Sequence, residues 1–159
     1  MEDARHEDET PKERTDRELI ELLNELRVVL PGITVLFAFL LAVPFAKGWS
    51  KVTPFERDVF VVAVIATGVS IAFLTAPTSY HRLRFRHGDK QRLVLLGNRL
   101  AIAGIAAFAI ALEAAILLVV TYVVSRAAGI AACATVGALV LFLWYGLPLS
   151  AALTERRAR

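Results

Sequence analysis

Glu113 is the residue with the most chemistry to offer. It interrupts an apolar run, Ala111-Leu112-Glu113-Ala114-Ala115, close to the middle of a stretch long enough to cross a bilayer. A charged carboxylate facing lipid at that depth is costly, so the group must face protein or water, or hold a proton. Two roles follow: a carboxyl that binds a proton or a monovalent cation, or a neutral one hydrogen-bonded to a neighbouring helix. Arg99 lies on the same predicted helix but fourteen residues earlier, roughly 21 Å at 1.5 Å per residue, too far for an ion pair. Arg27 is too shallow. Thr67 and Ser70, one helical turn apart, and Thr135 fall at a compatible depth. The expected partners of Glu113 are these hydroxyls, or the Glu113 of a second copy.

A second polar group gathers where two spans begin. Asn24, Arg27, Pro31 and Thr34 fall along one side of the first predicted helix, and Asn98-Arg99 opens the third span at a similar level. Glu21 or Glu25 can neutralise Arg27 or Arg99. Such a group is either an entrance for an ion or small anion, or a polar clamp that locks helix ends at the interface. The central segment Tyr80-His81-Arg82-Leu83-Arg84-Phe85-Arg86 sets Arg82, Arg84 and Arg86 on one side if extended, where they can meet anionic lipid headgroups. His81 and His87 stand six apart without a cysteine beside them, which is no metal-ligand spacing. The chain has no phosphate-cradling glycine loop, no Ser-His-Asp or Cys-His set and no HExxH motif. Neither an enzyme nor a cofactor or metal is expected.

The elements that position these residues are read from hydropathy. Of 159 residues 57% are hydrophobic, and mean hydropathy is +0.58, more apolar than an ordinary soluble domain. The apolar residues collect into four blocks, about residues 28–45, 58–76, 100–124 and 130–149, each near the 20 or so residues that cross a bilayer as helix. The predicted fold is all-α: a four-transmembrane-helix bundle (residues 15–153) with an N-terminal amphipathic helix leading into the first span. Residues 1–14 read as a disordered acidic tail and 154–159 as a basic one. Thr15-Asp16-Arg17-Glu18 fits a capping box. Residues 16–30 then place Leu19, Leu22, Leu23, Leu26 and Leu30 at helical spacing opposite Glu18, Glu21 and Glu25, as in a helix lying at the interface. Pro31 predicts a kink, Pro77 a helix end, and Lys90 the start of the helix that enters the third span.

Charge sets the expected orientation. Five Lys/Arg precede the first span, six lie between Arg82 and Arg99, and three end the chain, whereas Lys47, Lys51, Arg57 and Arg126 alone occupy the opposite side. The positive-inside rule then places both termini and the central loop in the cytoplasm. The same rule accounts for the net charge of +3, and no basic stripe interleaved with aromatics argues for nucleic acid. Two small-residue ridges, Ala103-Ala107-Ala111-Ala115 and Gly129-Cys133-Gly137, predict close helix packing. Together with a Glu113 lacking a cationic partner, they predict a homo-oligomer surrounded by membrane lipids.

The segments 17–32, from Arg17-Glu18-Leu19 to Leu30-Pro31-Gly32, and Val35-Leu36-Phe37-Ala38-Phe39-Leu40-Leu41 resemble a family of small actinobacterial membrane proteins of unknown function. Ala76-Pro77-Thr78-Ser79-Tyr80-His81-Arg82, Gly88-Asp89-Lys90, Asn98-Arg99-Leu100 and Leu143-Trp144-Tyr145 extend the resemblance over nearly the whole chain after the tail. Some members carry the label of sodium:proton antiporter. The resemblance implies a four-helix fold in a bacterial plasma membrane. Two functions are expected from these readings together: ion or proton handling with Glu113 as the titrating group, or an accessory membrane protein that binds lipid or a partner protein.

Overall fold

The computed structural model describes residues 10–83 and 90–147, and over them the chain is helical with no strand. In order, α1 is Pro11–Ala42, α2 Pro54–Leu83, α3 Lys90–Val123 and α4 Arg126–Leu141. Short 3-10 turns, Val43–Phe45 and Trp49–Lys51, join α1 to α2, and a π-helical turn, Phe142–Gly146, extends α4. Four segments are long and apolar enough to cross a membrane: Ile20–Phe45, Pro54–Ser79, Val94–Val123 and Arg126–Trp144. Large apolar side chains such as Val28, Phe39, Ile102 and Leu141 are exposed along them. That outward apolar surface is what lipid contact requires, and the chain is a multi-pass membrane protein.

Local chemistry fixes where the helices start. At the head of α1 the Thr10 amide and hydroxyl both donate to the Glu13 carboxylate, at 2.9 and 2.7 Å, while Thr10 Oγ1 accepts from the Glu13 amide. Thr53 and Glu56 repeat the arrangement at α2, with both Thr53 donors 2.8 Å from Glu56. Both boxes read Thr-Pro-x-Glu, with proline at the first helical position, where its missing amide hydrogen is no loss. The helix expected to start at Thr15 therefore starts at Pro11, and residues 10–14 are its cap and first turn rather than tail. Residues 1–9 and 148–159, which include the rest of both predicted tails, lie outside the described residues.

The helix expected over residues 16–30 leads into the first span without a break. It is the first half of the 32-residue α1, which continues through Pro31. Pro77 likewise lies inside α2 and is fully buried instead of ending the helix. A proline can remain inside a helix when the turn it weakens is held by packing. The third helix begins at Lys90, as the sequence predicts.

Two compact units make up the chain. The first comprises Met1–Phe39 and Thr67–Ala107; its described core holds Leu22, Leu26, Ile33, Leu74 and Ala101 around the buried Thr67 and Ser70. Here α2 and α3 meet through Gly104, where an added Cβ would lie 2.6 Å from Leu74 Cγ, and the Ser70 hydroxyl donates to the Gly104 carbonyl at 2.7 Å. Gly97 receives Leu22 and Pro77 in the same way. The second unit comprises Leu40–Ala66 and Phe108–Arg159, with Leu40, Ala63, Ala111, Ala114 and Leu118 buried. Glu56 is also buried there, its charge met by the Thr53 cap.

The Gly104 contact has a measurable consequence. Gly104→Ala should lower stability by about 1–3 kcal/mol, the range for an overpacked site. Gly68→Ala meets no atom within 4 Å and should be neutral or slightly stabilising. Unfolding of the two variants in mixed micelles compares them directly; equal stabilities would contradict the close approach at Gly104.

Candidate functional site: the α3–α4 seam around Glu113

Only Val124 and Ser125 separate α3 from α4. Ser125 is extended (φ −171°, ψ 163°), and its hydroxyl accepts from the Ala128 amide at 3.2 Å, capping α4. So short a connection makes the two helices antiparallel neighbours. Side chains four residues apart share a helix face. On α3 the face is Glu113, Leu117 and Thr121; on α4 it is Gly129, Cys133 and Gly137. The hairpin register sets Thr121 opposite Gly129 and Glu113 opposite Gly137. A Cβ on Gly129 would strike the Thr121 hydroxyl and come within 3.1 Å of the Leu117 carbonyl oxygen. A Cβ on Gly137 would stand 3.6 Å from the Glu113 carboxyl carbon, an ordinary van der Waals contact. The seam is thus closed at Gly129 and leaves space the size of a methyl group at Gly137.

Both Glu113 carboxyl oxygens and the Thr121 hydroxyl are buried and have no hydrogen-bond partner among the described residues. The Cys133 thiol, one turn before Gly137, lies close enough to that carboxyl to act as a weak donor, although the geometry of a formed hydrogen bond is not met. Two of the hydroxyls expected to serve Glu113 are engaged elsewhere. Ser70 donates to Gly104 and Thr135 to the Ala131 carbonyl at 2.8 Å, while Thr67 is fully buried in the first unit. Glu113 also lies ten residues before the end of α3, about 15 Å from it, somewhat past the midpoint of Val94–Val123.

The second predicted cluster is more open. Asn24, Arg27, Asn98 and Arg99 are all exposed. Arg27, Pro31 and Thr34 line one shallow groove on α1 with Leu30, Val35 and Ala38, as their spacing predicts. The Thr34 hydroxyl donates to the Leu30 carbonyl at 2.9 Å. Glu21, expected to neutralise Arg27 or Arg99, pairs with Arg17 at 3.0 Å, and Arg14 pairs with Glu18 at 3.1 Å. These exposed pairs one turn apart contribute a few tenths of a kcal/mol at most. In the arginine segment, Arg82 belongs to helix α2 rather than an extended strand, and Arg84 and Arg86 lie outside the described residues. No group of three His, Cys, Asp or Glu residues converges on a metal position among the described residues.

An unpartnered buried carboxyl should weaken the fold it sits in. Glu113→Leu is expected to raise the unfolding free energy by about 1–3 kcal/mol, because the group lost was buried and unsatisfied. Chemical unfolding in micelles measures this, and a destabilised Leu variant would mean that the carboxyl has a stabilising partner.

Comparison with known proteins adds one positive finding. No match was found among curated proteins or among solved structures. The model of a family of unknown function (DUF6328) matches residues 8–148, most of the chain, so the protein belongs to that family.

Proposed function

We propose that this membrane protein handles protons, with Glu113 as the group that takes up and releases them. The observation that supports this reading is a carboxyl buried in a membrane-spanning hairpin without a hydrogen-bond partner. An unpaired charge at that depth is costly, which is why an intramembrane carboxyl of this kind is read as a functional group. A proton suits the site better than a monovalent metal ion. Cations such as these need several oxygen ligands, and beside the Glu113 carboxyl the seam offers a glycine and a thiol. Four helices enclose little volume, so a transport route calls for a homo-oligomer. The α4 ridge does not itself argue for one, since Gly129 and Gly137 are covered by α3 of the same chain.

The decisive measurement is proton flux into liposomes carrying the purified protein, followed with an entrapped pH dye. Wild type should respond to a pH gradient, and Glu113→Gln, which keeps size and hydrogen-bonding ability, should fall to the level of empty liposomes. Flux that survives in the Gln variant removes Glu113 from the mechanism and favours an accessory protein that binds lipid or a partner.

The orientation proposed with this function has both termini in the cytoplasm of a bacterial plasma membrane, from the Lys/Arg distribution. In a Cys133→Ala background, a membrane-impermeant maleimide added to intact cells should label Ser50→Cys and leave His87→Cys unlabelled. Labelling at position 87 reverses the orientation.

A further inference from the structure

The second unit contains a cavity of about 240 Å³ between the α1–α2 connection and the last turns of α3. Its walls include Val43, Gly48, Trp49, Leu118, Val119 and Tyr122 and are almost wholly apolar. Two of these walls are held in place. Trp49 meets Phe60 edge-on with ring centroids 4.8 Å apart, and the Tyr122 hydroxyl reaches the Gly48 carbonyl at 3.5 Å. A side chain at Gly48 would collide with that hydroxyl, so glycine is what lets the connection close over the end of α3.

Basic residues stand next in sequence to the lining of this cavity. Lys47 and Lys51 flank the lining residues Gly48 and Trp49, are exposed, and make no ion pair among the described residues. The same end of the unit carries Arg57 at the start of α2 and Arg126 at the start of α4, the latter 4.1 Å above the Phe55 ring. Against these four cations stand two carboxylates, and one of them, Glu56, is buried in the Thr53 cap. An apolar slot whose wall residues Gly48 and Trp49 are bracketed by exposed lysines at the end of a membrane span matches a molecule with a hydrocarbon chain and a negative head. The volume lies below that of a drug-sized pocket and suits a single chain.

We infer that this cavity is a binding site for an anionic phospholipid, with one acyl chain between Trp49 and Val119 and the phosphate at Lys47 and Lys51. The site is independent of proton handling at Glu113.

Trp49 reports on its own ligand. The chain has two tryptophans, so Trp144→Phe leaves Trp49 as the sole tryptophan, excited apart from the tyrosines at the red edge of the absorption band. The variant is reconstituted into vesicles containing increasing fractions of brominated phosphatidylglycerol or brominated phosphatidylcholine. Quenching of Trp49 should saturate at a lower fraction of the anionic lipid, with a preference of roughly fivefold per lysine, the equivalent of about 1 kcal/mol per charge. Lys47→Gln with Lys51→Gln should abolish the preference while leaving quenching by both lipids. Val119→Phe, which fills the cavity, should weaken quenching by both. Equal quenching of the wild-type pair by the two lipids would reduce the contact to bulk lipid and overturn the assignment, as would a preference that survives loss of both lysines.

Discussion

Inside a bilayer no water is available to a backbone amide or carbonyl, and the spans of this chain answer that constraint as helices. Helices satisfy their own interiors, so the exposed groups are those at helix ends and beside prolines. The ends are met by side chains: Thr10 and Glu13 at α1, Thr53 and Glu56 at α2, Ser125 at α4. Hydroxyls within the helices turn back to the carbonyl four residues earlier, as Thr34, Thr75 and Thr135 do at 2.8 to 2.9 Å. Ser70 differs, because its hydroxyl crosses from α2 to the Gly104 carbonyl and ties the helices where they approach most closely.

With lipid outside and protein inside equally apolar, helices associate here through close packing rather than through the hydrophobic effect. Glycine is what allows it at Gly97, Gly104 and Gly129, each of which touches side-chain atoms of a neighbouring helix. Gly137 stands apart. It belongs to the same α4 ridge as Gly129, yet the atoms it faces are those of a carboxyl at ordinary distance. Glu113 thus faces a step of the seam where a methyl group would fit.

Much of this was legible in the sequence. Hydropathy gave the four spans and the short turn between the last two, because length and composition alone determine whether a segment can cross lipid; the start at Lys90 came from the Gly88-Asp89 turn signal. Local propensity makes Pro77 a helix end, yet α2 continues through it. In the folded chain Pro77 packs on Gly97 beside Leu22, and tertiary contact carries the helix onward. The capping boxes were missed for a different reason. The sequence holds Thr-Pro-x-Glu twice, but the first copy lies in a polar segment that reads as tail, and the second in what reads as loop. The partners of Glu113 could not be read at all, since depth along a helix says nothing about which way a hydroxyl turns.

The two-residue link between α3 and α4 also bears on how the chain enters a membrane. A connection of Val124 and Ser125 leaves no slack for α3 to settle before α4 follows, so the pair behaves as one insertion unit. Between Arg99 and Thr154 the only charged side chains are Glu113 and Arg126. Glu113 travels into the bilayer, and Arg126 alone must be carried to the far side at the tip of the hairpin. Its guanidinium finds the face of Phe55 there, on a helix that precedes it in the chain. Earlier synthesis of α2 therefore provides the aromatic surface on which the last charge to cross comes to rest.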